Sequence, residues 1–182
     1  IYAEKIFPFS LQGNIIGILF RSFIIISFCE ELVKWLFTYV ICWKDKNFNY
    51  VYDAIVYCVF ISLGFASIEN LIAILSNSGG FTLALQRGLI TVPAHAFFGI
   101  ISGYYLGLAK KYEARRWNKR KRKYIILSLL IPIIVHGMFD SLLFLSSTAS
   151  LLFATALIVY LYLSSALKVV KTSSEAKKIT RR

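Results

Sequence analysis

Five stretches of this chain, about 10–43, 54–75, 82–109, 124–146 and 149–168, are apolar and long enough to cross ~30 Å of hydrocarbon at 1.5 Å per residue. Inside a bilayer every backbone N–H and C=O must find its partner within the protein, so runs of this length read as helices. The fold class that follows is all-α: a polytopic transmembrane helix bundle of about five helices. Composition agrees. Hydrophobic residues make up 58% and charged residues 16%, against roughly 45–50% and 25% in soluble domains. A soluble enzyme, a disordered tail and a disulfide-stapled secreted module are excluded. The links are too short for a soluble domain, and no internal repeat is visible. Residues 1–182 therefore read as one integral membrane domain with its core at 10–168.

The formal charge of +12 is concentrated where apolar runs end. Nine of the 21 Lys and Arg lie between Lys110 and Lys123, and six more between Lys168 and Arg182. The positive-inside rule makes 110–123 a cytosolic basic loop and 169–182 a cytosolic basic tail. The 44–53 link is then cytosolic too, and it also carries Lys. The expected partners of these cations are anionic lipid headgroups of the bilayer, not nucleic acid. Cys29, Cys42 and Cys58 sit in apolar runs and read as small buried residues. The chain opens on Ile1 without a basic signal-peptide region, which leaves room for an earlier membrane helix upstream. Gly99, Gly103 and Gly107 form a small-xxx-small stripe suited to close helix contact, with Gly13 and Gly17 a weaker one.

Nine ionisable side chains remain in apolar surroundings: Arg21, Glu30, Glu31, Lys34, Glu69, Arg87, His95, His136 and Asp140. Each costs roughly 2.5–3.5 kcal/mol at the bilayer centre even on a lenient scale. Mutual pairing that welds the bundle accounts for Arg21, Lys34 and Arg87, and Arg21 and Arg87 can also snorkel. Depth sets the others apart. Counted at the helical rise, Glu30, His95, His136 and Asp140 lie ~18–24 Å from the cytosolic ends of their helices, and Glu69 lies ~9 Å from the opposite end of its own. Four helices thus bring acids and imidazoles to one height, nearer the outer face, which unrelated salt bridges have no reason to share. His136 and Asp140 share a helix face, as do Glu30 and Lys34, whereas Glu30 and Glu31 point ~100° apart. Pro93 and Pro132 free backbone carbonyls beside the two histidines.

Carboxylates with imidazoles are the means of activating water, by general-base action or on a divalent metal. No HExxH or GxSxG pattern occurs. The same groups suit a proton or cation relay, so residue types alone leave a coupled transporter open.

The motifs go further than the types. Glu30-Glu31-Leu32-Val33-Lys34 is an EExxK motif, followed by Gly64–Asn70 (GFASIEN), Pro93–Gly99 (PAHAFFG) and His136–Asp140 (HGMFD). In this order, one per helix, they resemble the PrsW family of intramembrane proteases, distant relatives of the CAAX-prenyl processing and bacteriocin-immunity proteases. The resemblance covers about 22–145. It implies peptide-bond hydrolysis in or at the membrane, the first cut of an anti-sigma factor being the family's best-known role. It also implies catalytic roles for Glu30, Glu31, Glu69, His95, His136 and Asp140, with Lys34 and Asn70 in support. One departure is Ala73, where relatives often carry an aromatic residue. The family has been described both as metalloproteases and as glutamic-type proteases. His95 and His136, with Glu69 or Asp140, permit zinc without demanding it. The Glu30–Glu31 pair beside Lys34 reads more readily as a metal-free general base. A prokaryotic cell membrane is the expected location. A transporter is the main alternative, and a non-catalytic chaperone or immunity protein on the same scaffold is a third.

Overall fold

The computed structural model describes residues 14–76, 80–174 and 179, and the described residues build five helical rods without a strand. Helix α1 runs over 15–42: an α-helical start, Ile15–Phe20, a π-helical stretch, Arg21–Phe28, and a second α-helical part, Cys29–Cys42. Helix α2 is Val51–Ser76, α3 is Gly80–Ala114, α4 is Asn118–Leu145 and α5 is Thr148–Ser174. Among the described residues α2 to α5 are long and apolar enough to cross a membrane. Helix α1 is set apart by its four ionisable side chains, Arg21, Glu30, Glu31 and Lys34.

The basic segment differs from the loop expected at 110–123. Helix α3 continues to Ala114 and α4 begins at Asn118, so only residues 115–117 turn, with Arg116 at φ 59. Lys, Arg, Glu and Ala are good helix formers, and outside hydrocarbon nothing obliges the helix to stop where apolarity does. The 169–182 tail differs in the same way, since α5 stays helical to Ser174. Beyond it, the backbone N–H of Ile179 donates to Asn49 O at 2.6 Å. The first ten residues, Gly13 and residues 77–79 fall outside the described part.

Helix α3 is central, packed on α2 and α4, with α1 against α4 and α2, and α5 against α3 and α4. The glycine stripe makes the α2–α3 contact. A Cβ on Gly103 would stand 2.5 Å from Ala54 O and from Ile55 Cα, and one on Gly107 2.5 Å from Val51 O. Backbone occupies that space, so no side chain can swing away. Gly103→Val should therefore separate α2 from α3 and lower the unfolding temperature in detergent, by an overpacking cost of about 1–3 kcal/mol or more. Gly64, with nothing within 4 Å of its added Cβ, is the matched control. Equal melting of the two valine variants would refute close packing.

Pro132 deprives the Ser128 carbonyl, four residues earlier, of its helical donor. The hydroxyl of Ser102, on α3, donates to that carbonyl at 2.8 Å. Ser128 Oγ in turn accepts from Trp35 Nε1 on α1 at 2.8 Å. The proline therefore creates a polar tie joining three helices, and Ser102 does more than continue the small-residue stripe. Pro93 is handled differently: α3 widens to a π-helix over Arg87–Thr91, where the N–H of Val92 donates to Arg87 O. Such insertions cluster at functional sites. Large side chains such as Phe60, Leu75 and Phe81 face outward, 72%, 77% and 81% exposed, as a lipid-facing surface requires.

Candidate active site

The two π-helical stretches flank one cavity of about 140 Å³, with Ile26 from the first and Arg87 and Thr91 from the second in its wall. Its polar lining is Glu30, Glu69, Arg87, His95, His136 and Asp140, contributed by α1, α2, α3 and α4. Four helices thus bring these side chains to one cavity. Glu31 is the exception. It is 3% exposed and turned away from the cavity, as its angular offset from Glu30 predicts.

One network joins these groups. The Lys34 ammonium lies 2.7 Å from Glu31 Oε1, 3.3 Å from Glu30 Oε2 and 2.8 Å from His95 Nδ1. Glu31 Oε1 also lies 2.9 Å from His136 Nδ1, and His136 Nε2 lies 3.4 Å from Asp140 Oδ2. On the other side, His95 Nε2 is 3.2 Å from Glu69 Oε2. That oxygen is within ion-pair reach of the ring yet makes no hydrogen bond. Arg87 completes the network, Nη2 donating to Glu69 Oε1 and Nε to Asn70 Oδ1, both at 2.7 Å. The ring of Phe98 stacks on His136, centroids 4.7 Å apart and planes 20° apart, and fixes that imidazole.

Ligand atoms of Glu30, His95 and His136 lie within 4.8 Å of one another. The third donor, the carboxylate in reach of both rings, is therefore Glu30, where the sequence allowed Glu69 or Asp140 as third ligand. Donor type suits a divalent ion, whose bonds to such groups are ~2.0–2.2 Å. Charge suits it too. The network contains four carboxylates (Glu30, Glu31, Glu69, Asp140) against Lys34 and Arg87, leaving two negative charges if both rings are neutral. The His136 ring is held between two carboxylates. A carboxylate only accepts, so Nδ1 carries a hydrogen toward Glu31, and in the neutral ring Nε2 is the nitrogen that would serve a cation. Glu31 then stands to His136 as an outer carboxylate stands to a metal-bound imidazole, fixing its tautomer and orientation.

Arg87 pairs with Glu69 across two helices, as the weld reading expects, and it also stands in the cavity wall. Its position 18 residues after Glu69 gives no periodic signal, and only the fold sets it in the cavity wall. Among the described residues the cysteines are free: Cys29 is exposed, Cys42 and Cys58 are buried.

Residues 2–167 match the family described as PrsW family intramembrane metalloprotease. Proteins named Protease PrsW are similar over most of the chain. The one from Halalkalibacterium halodurans is 40% identical over 139 residues, 76% of this chain and 61% of that protein. The one from Clostridioides difficile is 33% identical over 164 residues, 89% of this chain and 68% of that protein. In Bacillus subtilis the figures are 37% over 127 residues, 70% and 56%. The chain thus spans about three fifths of the length of these curated relatives. No solved structure matches it. These names favour hydrolysis over the transporter reading of the same residues.

Proposed function

Because the chain belongs to the PrsW family of intramembrane metalloproteases, we propose that it is an endopeptidase hydrolysing a peptide bond of a membrane-protein substrate within or beside the bilayer. The observation that carries this reading is the convergence of Glu30, His95 and His136 from three helices at a cavity set among apolar helices. These three residues would hold a divalent cation, for which zinc is the proposed identity on its mixed carboxylate and imidazole donors. When bound, such an ion supplies Lewis acidity toward the substrate carbonyl and toward water.

The chain's own groups account for the rest. Glu69, a carboxylate in the cavity wall whose Oε2 lies 3.2 Å from His95 Nε2, is the base that takes a proton from the attacking water. As the water oxygen bonds to the carbonyl carbon, the C=O electron pair moves onto oxygen, and Arg87 donates to that oxygen from N–H groups not used by Glu69 and Asn70. The proton held by Glu69 then passes to the departing nitrogen, the C–N bond breaks, and a carboxylic acid and an amine remain. Glu31 and Phe98 hold His136 in place, and the apolar walls at Ile26, Phe139 and Leu143 keep bulk water out.

A metal-free reaction with Glu30 as base is the second reading, favoured by the Lys34 ammonium on Glu30 Oε2 and His95 Nδ1. Elemental analysis of active protein separates the two. Stoichiometric zinc, lost with activity on chelation and restored with it, supports the first, and full activity without metal supports the second.

An anti-sigma factor in a bacterial cell membrane is the substrate suggested by the family resemblance. The test is co-expression of this chain with candidate single-span membrane proteins beside its Glu30→Ala form. A truncated product only with the parent chain supports the proposal, and identical substrate patterns with both defeat it. We also propose that the 115–117 turn and the C-terminus are cytosolic, since the flanking helix ends hold nine Lys and Arg between Lys110 and Lys123. A cysteine label at Asn118 should react only after the membrane is permeabilised. Reaction from outside in intact cells would invert the topology.

A further inference from the structure

We propose that Lys34 is a tethered cation that competes with the divalent metal for His95, so that ring binds either the ammonium or the metal but not both. The inference rests on the metal reading above. It starts from three contacts: Lys34 Nζ meets Glu30 Oε2 at 3.3 Å, Glu31 Oε1 at 2.7 Å and His95 Nδ1 at 2.8 Å. Two of these partners, Glu30 and His95, belong to the three-residue donor set. The side chain is 4% exposed, and its ammonium has three hydrogens for three acceptors.

An ammonium only donates, so His95 Nδ1 accepts and its lone pair is engaged. The ring hydrogen of neutral His95 is then on Nε2, the nitrogen 3.2 Å from Glu69 Oε2. In that state neither nitrogen offers a lone pair to a metal. Neutral His136 is in the opposite condition, its Nδ1 hydrogen directed to Glu31 and its Nε2 lone pair left for a ligand. Metal capture by His95 therefore requires Lys34 to leave Nδ1, after which the ring can ligate through Nδ1 directly or shift its hydrogen to Nδ1 and ligate through Nε2. Charge acts in the same sense, because a positive charge and a divalent ion a few ångströms apart in an apolar interior repel strongly. Lys34 has somewhere to go: it keeps Glu31 Oε1, and the Phe65 ring lies 4.8 Å from Nζ as a cation–π surface.

The experiment measures metal binding to the purified full chain in lipid nanodiscs, with Co²⁺ absorption as probe and Zn²⁺ in competition. Lys34→Met and Lys34→Gln should bind Co²⁺ roughly 10–100-fold more tightly than the parent, the range set by losing a charge-assisted hydrogen bond that opposes binding. Lys34→Arg, which keeps the charge, should show no gain. His95→Ala added to either neutral variant should remove the gain. Binding by the parent with equal or weaker binding by the neutral variants would overturn the inference and leave the metal reading standing, since Lys34 would then support the site. Absence of Co²⁺ and Zn²⁺ binding in every form would overturn both. A gain that survives His95→Ala would place the competition elsewhere and also overturn it. The parent chain gives an independent reading should the neutral variants not fold. It has only two histidines, and on zinc addition the ¹⁵N resonance of His95 Nδ1 should leave its hydrogen-bond-acceptor position. A resonance unmoved by bound zinc would refute the exchange.

Discussion

Glu30→Gln should lower hydrolysis by at least ~10³-fold, the scale on which removing an essential group of a catalytic unit acts, while the protein remains inserted and folded. The amide is nearly isosteric with the carboxylate, and its oxygen can still accept from Lys34, whose stronger partner is Glu31 at 2.7 Å. What is lost is one negative charge and one ligand in the set Glu30, His95, His136. His95→Ala should be equally inactive for the same reason. Glu31→Gln should behave differently from both. Glu31 stays out of the cavity and acts through His136 Nδ1, so the expected loss in metal affinity is about 10–100-fold, as for other outer-shell partners. Removing its charge also leaves Lys34 less well compensated, so this variant should melt earlier than Glu30→Gln. Cleavage of a co-expressed single-span substrate, thermal melting and metal content measured together distinguish the roles. If Glu30→Gln and His95→Ala aggregate or fail to accumulate, these residues are welds between helices and not a site.

Much of this arrangement is legible in the sequence, for a physical reason. Hydrocarbon forces helices, and helices impose a fixed rise. Counting residues therefore places Glu30, His95, His136 and Asp140 at a common height, and the EExxK spacing sets Lys34 one turn from Glu30. What counting cannot supply is azimuth across helices. The π-helical stretch Arg21–Phe28 widens α1 just before Glu30, and the one at Arg87–Thr91 widens α3 just before His95. Each changes the direction of every later side chain without changing the apolar pattern. Lys34 reaching His95, 61 residues away in sequence, and Arg87 reaching Glu69 both depend on those angles. The choice of Glu30 over Glu69 and Asp140 as the donor nearest both rings has the same origin. Pro132 was readable as a freed carbonyl, but its partner Ser102 lies on another helix and carries no signal beyond its place in a glycine stripe.

Arg87→Gln and Arg87→Lys should each cost ~10²–10³-fold in kcat with little change in KM or metal content, the effect of removing one donor to a developing oxyanion. The guanidinium has five N–H donors in a rigid fork, of which Nε and one on Nη2 are held by Asn70 and Glu69 at 2.7 Å. Two fixed contacts orient the plane and leave three N–H donors on a side chain that lines the cavity. Its charge is already matched by Glu69, so a second carboxylate is a poor partner. A neutral carbonyl that gains negative charge only as water adds is a good one, because the interaction then strengthens in the transition state alone. Lysine preserves the ion pair with Glu69 but not the fork, so Arg87→Lys tests donation apart from charge. Asn70→Ala should loosen the same fork and cost less, about tenfold, since the Glu69 contact remains. Steady-state kinetics on one cleaved substrate, with zinc content and melting temperature measured on the same samples, read the result. Full turnover by Arg87→Lys would reduce Arg87 to a counter-ion for Glu69. A fall confined to KM would mean that it holds the substrate before the reaction and not during it.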